Sequence, residues 1–120
     1  MWARVVEMAT AIWLAVSPWV FYSPPTDSAT MWIDQGIAVA IFLFACFSYW
    51  PITRHCHLLT LFIAIGLIAW GRLDGTPPQP IHQNHIIAGL FLLMIAIIPN
   101  DASQPPEVWQ AKIKQPETAR

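Results

Sequence analysis

Charge is scarce in this chain. Six lysines and arginines and seven aspartates and glutamates in 120 residues make 11%, against about 25% in an average soluble domain. The two signs nearly cancel, leaving a net charge of −1, so there is no excess of basic residues to form the positive face that nucleic-acid binding requires. Cysteine is almost missing. Cys46 and Cys56 are too few for a disulfide framework and lack the spacing of a metal site. They read as small apolar fillers. The sequence also has no Gly-rich phosphate loop, no Ser-His-Asp combination and no paired buried carboxylates. An enzyme would have little to work with, and none is expected.

Hydrophobic residues are plentiful. They make up 56% of the chain, with seven tryptophans, and the mean hydropathy is +0.49. By length the chain is one domain. Four apolar stretches cover residues 2–22, 31–50, 57–73 and 83–99, each near the roughly 20 residues a membrane span needs. None has an amphipathic polar face, which argues against helices buried in a soluble fold. The first stretch contains Glu7 and is followed by no small-x-small cleavage site, so it reads as a retained helix rather than a signal peptide. "SPPTDSAT", "PITRH" and "RLDGTPPQPIHQ" mark the turns. Such short connections make neighbouring helices antiparallel. The expected fold is therefore an all-α membrane protein with four transmembrane helices in an up-down bundle over residues 1–100, followed by a polar tail over residues 101–120.

Arg4, Arg54, Lys112, Lys114 and Arg120 fall on one side of this arrangement and Arg72 alone on the other. The positive-inside rule then places both termini and the tail in the cytoplasm. Both cysteines lie toward that side, where thiols stay reduced. Trp2, Trp19, Trp32, Trp50 and Trp70 sit near span ends, as an aromatic belt requires. A shift of 51 residues sets Ile12 on Ile63, Trp19 on Trp70 and Ala45 on Ala96. The order span, Pro-rich loop, span recurs with it, which suggests a duplicated helix pair related by an axis along the membrane normal.

Ser17, Pro18 and Trp19 are unusual near the end of an apolar run. Pro18 has no amide hydrogen, so the carbonyl of Leu14 loses its helical partner. In hydrocarbon that loss must be made good. Ser17 is expected to bond back to the carbonyl of Trp13 and bend the helix, and Trp19 to anchor it at headgroup depth. This Ser-Pro-Trp in the first helix of a two-helix unit resembles the SPW repeat family of small prokaryotic membrane proteins. "NHIIAGLFLLMIAIIPN", residues 84–100, is similar to the last helix of its four-span members. The resemblance covers roughly residues 10–100 and implies two repeated helix pairs in a prokaryotic inner membrane. It implies no established activity, cofactor or catalytic residue. The full tripeptide occurs once here, the second half keeping only Trp70.

Ionisable residues inside spans are functional candidates. Arg4 and Glu7, three apart on one helical face, read as a local ion pair. Asp34 and His85 coincide under the 51-residue shift, both near the start of an even span. They could form a polar cluster with Asn84, Gln35 lying nearby, and histidine would make it pH-responsive. Alternatively, Asp34 complements a helix dipole. His55 and His57 precede the third span while His82 and His85 precede the fourth, on the opposite side. No common metal or haem site can collect all four across about 30 Å of hydrocarbon. No metal or other cofactor is favoured, although a single pigment or haem on His85 stays open. In the tail, Trp109 and Ile113 with Lys112 and Lys114 suggest one interfacial helical turn. A disordered tail is the other reading.

Three functions follow in order. The first is a non-enzymatic accessory or structural subunit, its partners being the lipid bilayer and other membrane proteins. Small residues Gly36, Ala38, Ala40, Gly66 and Gly89 would permit the close helix contact this needs. The second is a small transporter or sensor using Asp34 and His85. The third is a pigment-binding subunit.

Overall fold

The computed structural model describes residues 2–21, 28–74, 79–100, 108, 109 and 111. Among them, four α-helices carry the fold: α1 (Trp2–Phe21), α2 (Ser28–Phe47), α3 (Leu59–Leu73) and α4 (Pro80–Ala96). A 3-10 turn, Cys56–Leu58, leads into α3. The first two helices, and the third together with its 3-10 turn, are long and apolar enough to cross a membrane, whereas α4, with 17 residues, is shorter. The chain is an all-α membrane protein.

Both even helices start and finish about three residues earlier than their hydrophobicity suggests. The reason is local. Gln79 is extended and Pro80 occupies the first turn of α4, where its fixed φ suits the helix and its missing N–H costs nothing. At the other end the backbone tightens after Phe47. Tyr49 and Trp50 donate to the carbonyls of Cys46 and Phe47, three residues back, a contracted pattern common at helix ends.

α1 packs along α2 and α3 along α4, and the two pairs meet chiefly through α1 and α4. Each helix gives the core one alanine and one larger residue: Ala11 and Leu14, Ala38 and Ile41, Ala64 and Leu67, Ala88 and Leu92. In lipid the outside is as apolar as the inside, so close packing rather than water exclusion must hold such helices together. Two glycines make the α3–α4 contact tight. A Cβ at Gly71 would lie 2.6 Å from the carbonyl oxygen of His82, and one at Gly89 2.8 Å from that of Ala64. Gly36 and Gly66, expected to serve the same purpose, would meet nothing within 4 Å. They face away from the bundle.

The repeat is visible in burial, with a refinement. In the even helices Asp34, Ala38, Ile41 and Ala45 correspond at 51 residues to His85, Gly89, Leu92 and Ala96, all buried. In the odd half, Glu7, Thr10, Leu14 and Ser17 correspond to His57, Thr60, Ala64 and Leu67 at 50 residues. One residue is about 100° of helix rotation, so the sequence alignment at 51 turns the wrong face of α3 inward.

Candidate functional site

Polar side chains inside the bundle are concentrated in four places. At the end carrying Arg4 and Arg54, here the basic end, the Arg4 guanidinium grips both carboxylate oxygens of Glu7 at 2.9 and 3.0 Å. Both side chains are fully buried. Its other terminal nitrogen donates to the carbonyls of Ile95 (3.1 Å) and Ile98 (2.8 Å). Those oxygens lie at and just past the C-terminal end of α4, the Ile95 carbonyl also accepting from the Ile98 N–H at 3.1 Å, and a cation there is favoured by the dipole. Arg4 is thus an ion-pair partner within α1 and a cap for α4. Sequence spacing indicates the first role and gives no sign of the second.

Beside it, the loop after α2 is tied down by its own backbone. The carbonyl of Arg54 receives Ser48 Oγ at 2.9 Å, Asn100 Nδ2 at 3.1 Å and His57 Nδ1 at 2.8 Å. A carbonyl only accepts, so the proton of His57 is on Nδ1. Asn100 Nδ2 also donates to the carbonyl and hydroxyl of Ser48, both at 3.0 Å. Thr53 Oγ1 donates to the Phe47 carbonyl at 2.6 Å. This network joins the end of the first helix pair to the residue that follows the second, and no sequence motif announces it. Cys46 and Cys56 are free thiols, partly buried, with the Cys46 Sγ 3.7 Å from Met8 Sδ.

The Ser-Pro-Trp motif lies near the opposite, far end. α1 runs through Pro18 to Phe21. Ser17 Oγ donates to the carbonyl of Leu14 at 3.0 Å, not to that of Trp13 as expected. The correction has a simple cause: Leu14 holds the acceptor that Pro18 deprives of its N–H, so the hydroxyl turns to the unpaired oxygen rather than to one already bonded. Gln35 Nε2 donates to the next carbonyl, that of Ala15, at 2.7 Å. Ser17 and Gln35 therefore serve two adjacent carbonyls just before the proline. Trp19 is 63% exposed and points out of the bundle.

Between α2 and α4, His85 Nε2 lies 3.2 Å from Asp34 Oδ1, with the side chains 2% and 3% exposed. Asp34 is the seventh residue of α2, beyond the first turn in which a carboxylate complements the helix dipole. Trp70 covers the imidazole, ring centroids 5.6 Å apart and planes inclined by 37°. The indole is held by its own bond to Asp74 Oδ2 at 3.1 Å. Asn84 does not join this pair. Its Oδ1 accepts from Trp13 Nε1 at 2.8 Å, and since indole can only donate, this contact fixes the amide orientation. The Asn84 Nδ2 is buried without a partner, as is His85 Nδ1. A pigment or haem iron needs a ring nitrogen facing open space. His85 has one nitrogen against a carboxylate and the other enclosed, so its setting does not fit that group.

A groove of about 410 Å³ runs between α1 and α4, lined by Val6, Ala9, Thr10, Trp13, Asn84, Ile87, Ala88 and Phe91. Arg72 is exposed at the far end, on the last turn of α3. His55 and His57 stand at the basic end and His82 and His85 at the far end. Among the described residues no group of three or more His, Cys, Asp or Glu side chains could hold a metal ion. Of the expected interfacial turn, Trp109 is helical and exposed, as is Val108 before it; Lys112, Ile113 and Lys114 lie outside the described residues, as does most of the 101–120 tail.

No curated protein and no solved structure matches the chain. A family model does, that of the SPW repeat domain, over residues 1–99. That match takes in both helix pairs and the Ser17-Pro18-Trp19 motif, and the chain accordingly belongs to the SPW repeat family.

Proposed function

We propose that this chain is a non-enzymatic accessory subunit of the prokaryotic inner membrane, crossing it four times with both termini in the cytoplasm. The observation that carries the reading is the groove between α1 and α4. It is largely apolar, and the Trp13–Asn84 bond lies along it. A neighbouring helix fills such a groove by close van der Waals packing, and packing of this kind joins helices in membranes. Other polar groups support a scaffold: buried Arg4 and half-buried Gln35 and Asn100 each bond across to another part of the bundle.

The test is the native mass in mild detergent, with mass spectrometry of what co-migrates, for the natural chain and for Ala9→Phe. A stoichiometric partner that is lost in the variant, with the chain's own abundance unchanged, is expected. A bare monomer or small homo-oligomer for the natural chain refutes the reading.

A second reading rests on the Asp34–His85 contact, a titratable pair enclosed at the far end of the bundle. In a transporter or pH sensor, Asp34→Asn abolishes a pH- or solute-dependent phenotype without lowering abundance. In a scaffold, substitutions lower assembly instead.

A further inference from the structure

At the basic end a pocket of about 290 Å³ opens beside the pinned loop, lined by Arg54, His55, His57, Leu58, Ile97, Pro99 and Asn100. We propose that it binds a phosphate group, carried by an anionic lipid or present as the free ion. Four observations support this. Arg54 and His55 are exposed on its wall, and no carboxylate among the described residues lines it. The Arg54 guanidinium has no ion pair with a described residue. Arginine's planar set of donors matches phosphate oxygens in a bidentate way. Finally, the loop is held by the chain's own groups, because three donors engage the Arg54 carbonyl.

That use of the backbone separates structure from binding. Ser48, His57 and Asn100 engage the Arg54 carbonyl, which any residue possesses, and leave its side chain to the pocket. The apolar members, Leu58 in the 3-10 turn and Ile97 just after α4, are exposed beside the basic ones. They provide for an acyl chain, while Arg54 and His55 take the headgroup. Basic pockets between helices at the edge of a membrane recognise anionic lipids by this division of labour. The proposal is independent of the subunit reading above.

The experiment uses the full chain purified in mild detergent. Thermal stability and native mass spectra are recorded with phosphatidylglycerol, with phosphatidylcholine and with inorganic phosphate. Phosphatidylglycerol is expected to raise the melting temperature and remain bound at one per chain, and phosphatidylcholine to do neither. Arg54→Gln should weaken binding about fivefold or more, the contribution of one cation near a charged lipid surface. Arg54→Gln/His55→Gln should weaken it further, and Arg72→Gln at the far end should leave it unchanged. A comparable shift with inorganic phosphate alone assigns the site to the free ion. The proposal is overturned if neither anion stabilises the chain more than phosphatidylcholine does. It is equally overturned if Arg54→Gln, melting as the natural chain does without ligand, binds undiminished.

Discussion

Replacing Ser17 with alanine removes one hydroxyl from a fully buried position and adds nothing in its place. The Leu14 carbonyl, bonded to that hydroxyl at 3.0 Å, then has neither an amide donor, because residue 18 is proline, nor the serine. A buried polar group left unpaired costs about 1–3 kcal/mol. The volume change is a single atom, so a cavity contributes little. The same substitution in a Pro18→Ala background should behave differently, because that background restores the N–H and the carbonyl regains its helical bond. There Ser17→Ala should cost less than about 0.5 kcal/mol, the usual cost of a change that leaves no group unsatisfied. The double-mutant cycle therefore predicts a coupling of about 0.5–3 kcal/mol between adjacent residues, equivalent to roughly a 2- to 150-fold change in the unfolding equilibrium. Reversible unfolding in mixed micelles, followed by tryptophan fluorescence and circular dichroism for the four chains, measures it. Equal costs of Ser17→Ala in both backgrounds would refute the claim that the serine serves the carbonyl orphaned by proline.

Other consequences can be checked in the same micelles. Gly71→Ala and Gly89→Ala each drive a methyl into a backbone carbonyl across the α3–α4 contact, and overpacking of this kind costs about 1–3 kcal/mol; Gly36→Ala and Gly66→Ala, which meet nothing, should leave the melting temperature nearly unchanged. Arg4→Met strands the buried Glu7 carboxylate and removes the donor to the carbonyls of Ile95 and Ile98, so a loss of about 3–5 kcal/mol is expected, partly recovered when Glu7→Gln is added. Trp13→Phe keeps the ring in the groove but removes the donor to Asn84, and should lower stability by about 0.5–1.5 kcal/mol.

How much of this is legible in the chain depends on the range of each interaction. Four apolar runs with Pro-rich breaks predict four helices, and the proximity of Arg4 to Glu7 predicts their pair, because helical neighbours at three residues must meet. Pro18 likewise identifies the Leu14 carbonyl as the orphan. Spacing alone gives the wrong acceptor for the serine, since it ignores which of two carbonyls is already occupied. Asp34 and His85 match through the repeat, whereas Asn84 groups with them only because it adjoins His85 in the chain. In the structure it turns to Trp13 on another helix. The Ser48–His57–Asn100 network has no signal at all, being made of residues from three separate segments that meet at one carbonyl.

The sequence by itself determined that this protein lies in a membrane as paired helices, because segment length, apolar content and turn residues are local properties. Only the tertiary structure decided which face of each helix is inside. In water an apolar stripe marks the buried face, but in lipid both faces are apolar and the stripe is lost. Rotation about each helix axis is then set by small contacts: Gly71 and Gly89 against backbone, Arg4 against the end of α4, Gln35 against α1. The burial pattern of α3, one residue out of step with the aligned sequence, follows from those contacts. A one-dimensional alignment cannot supply that rotation.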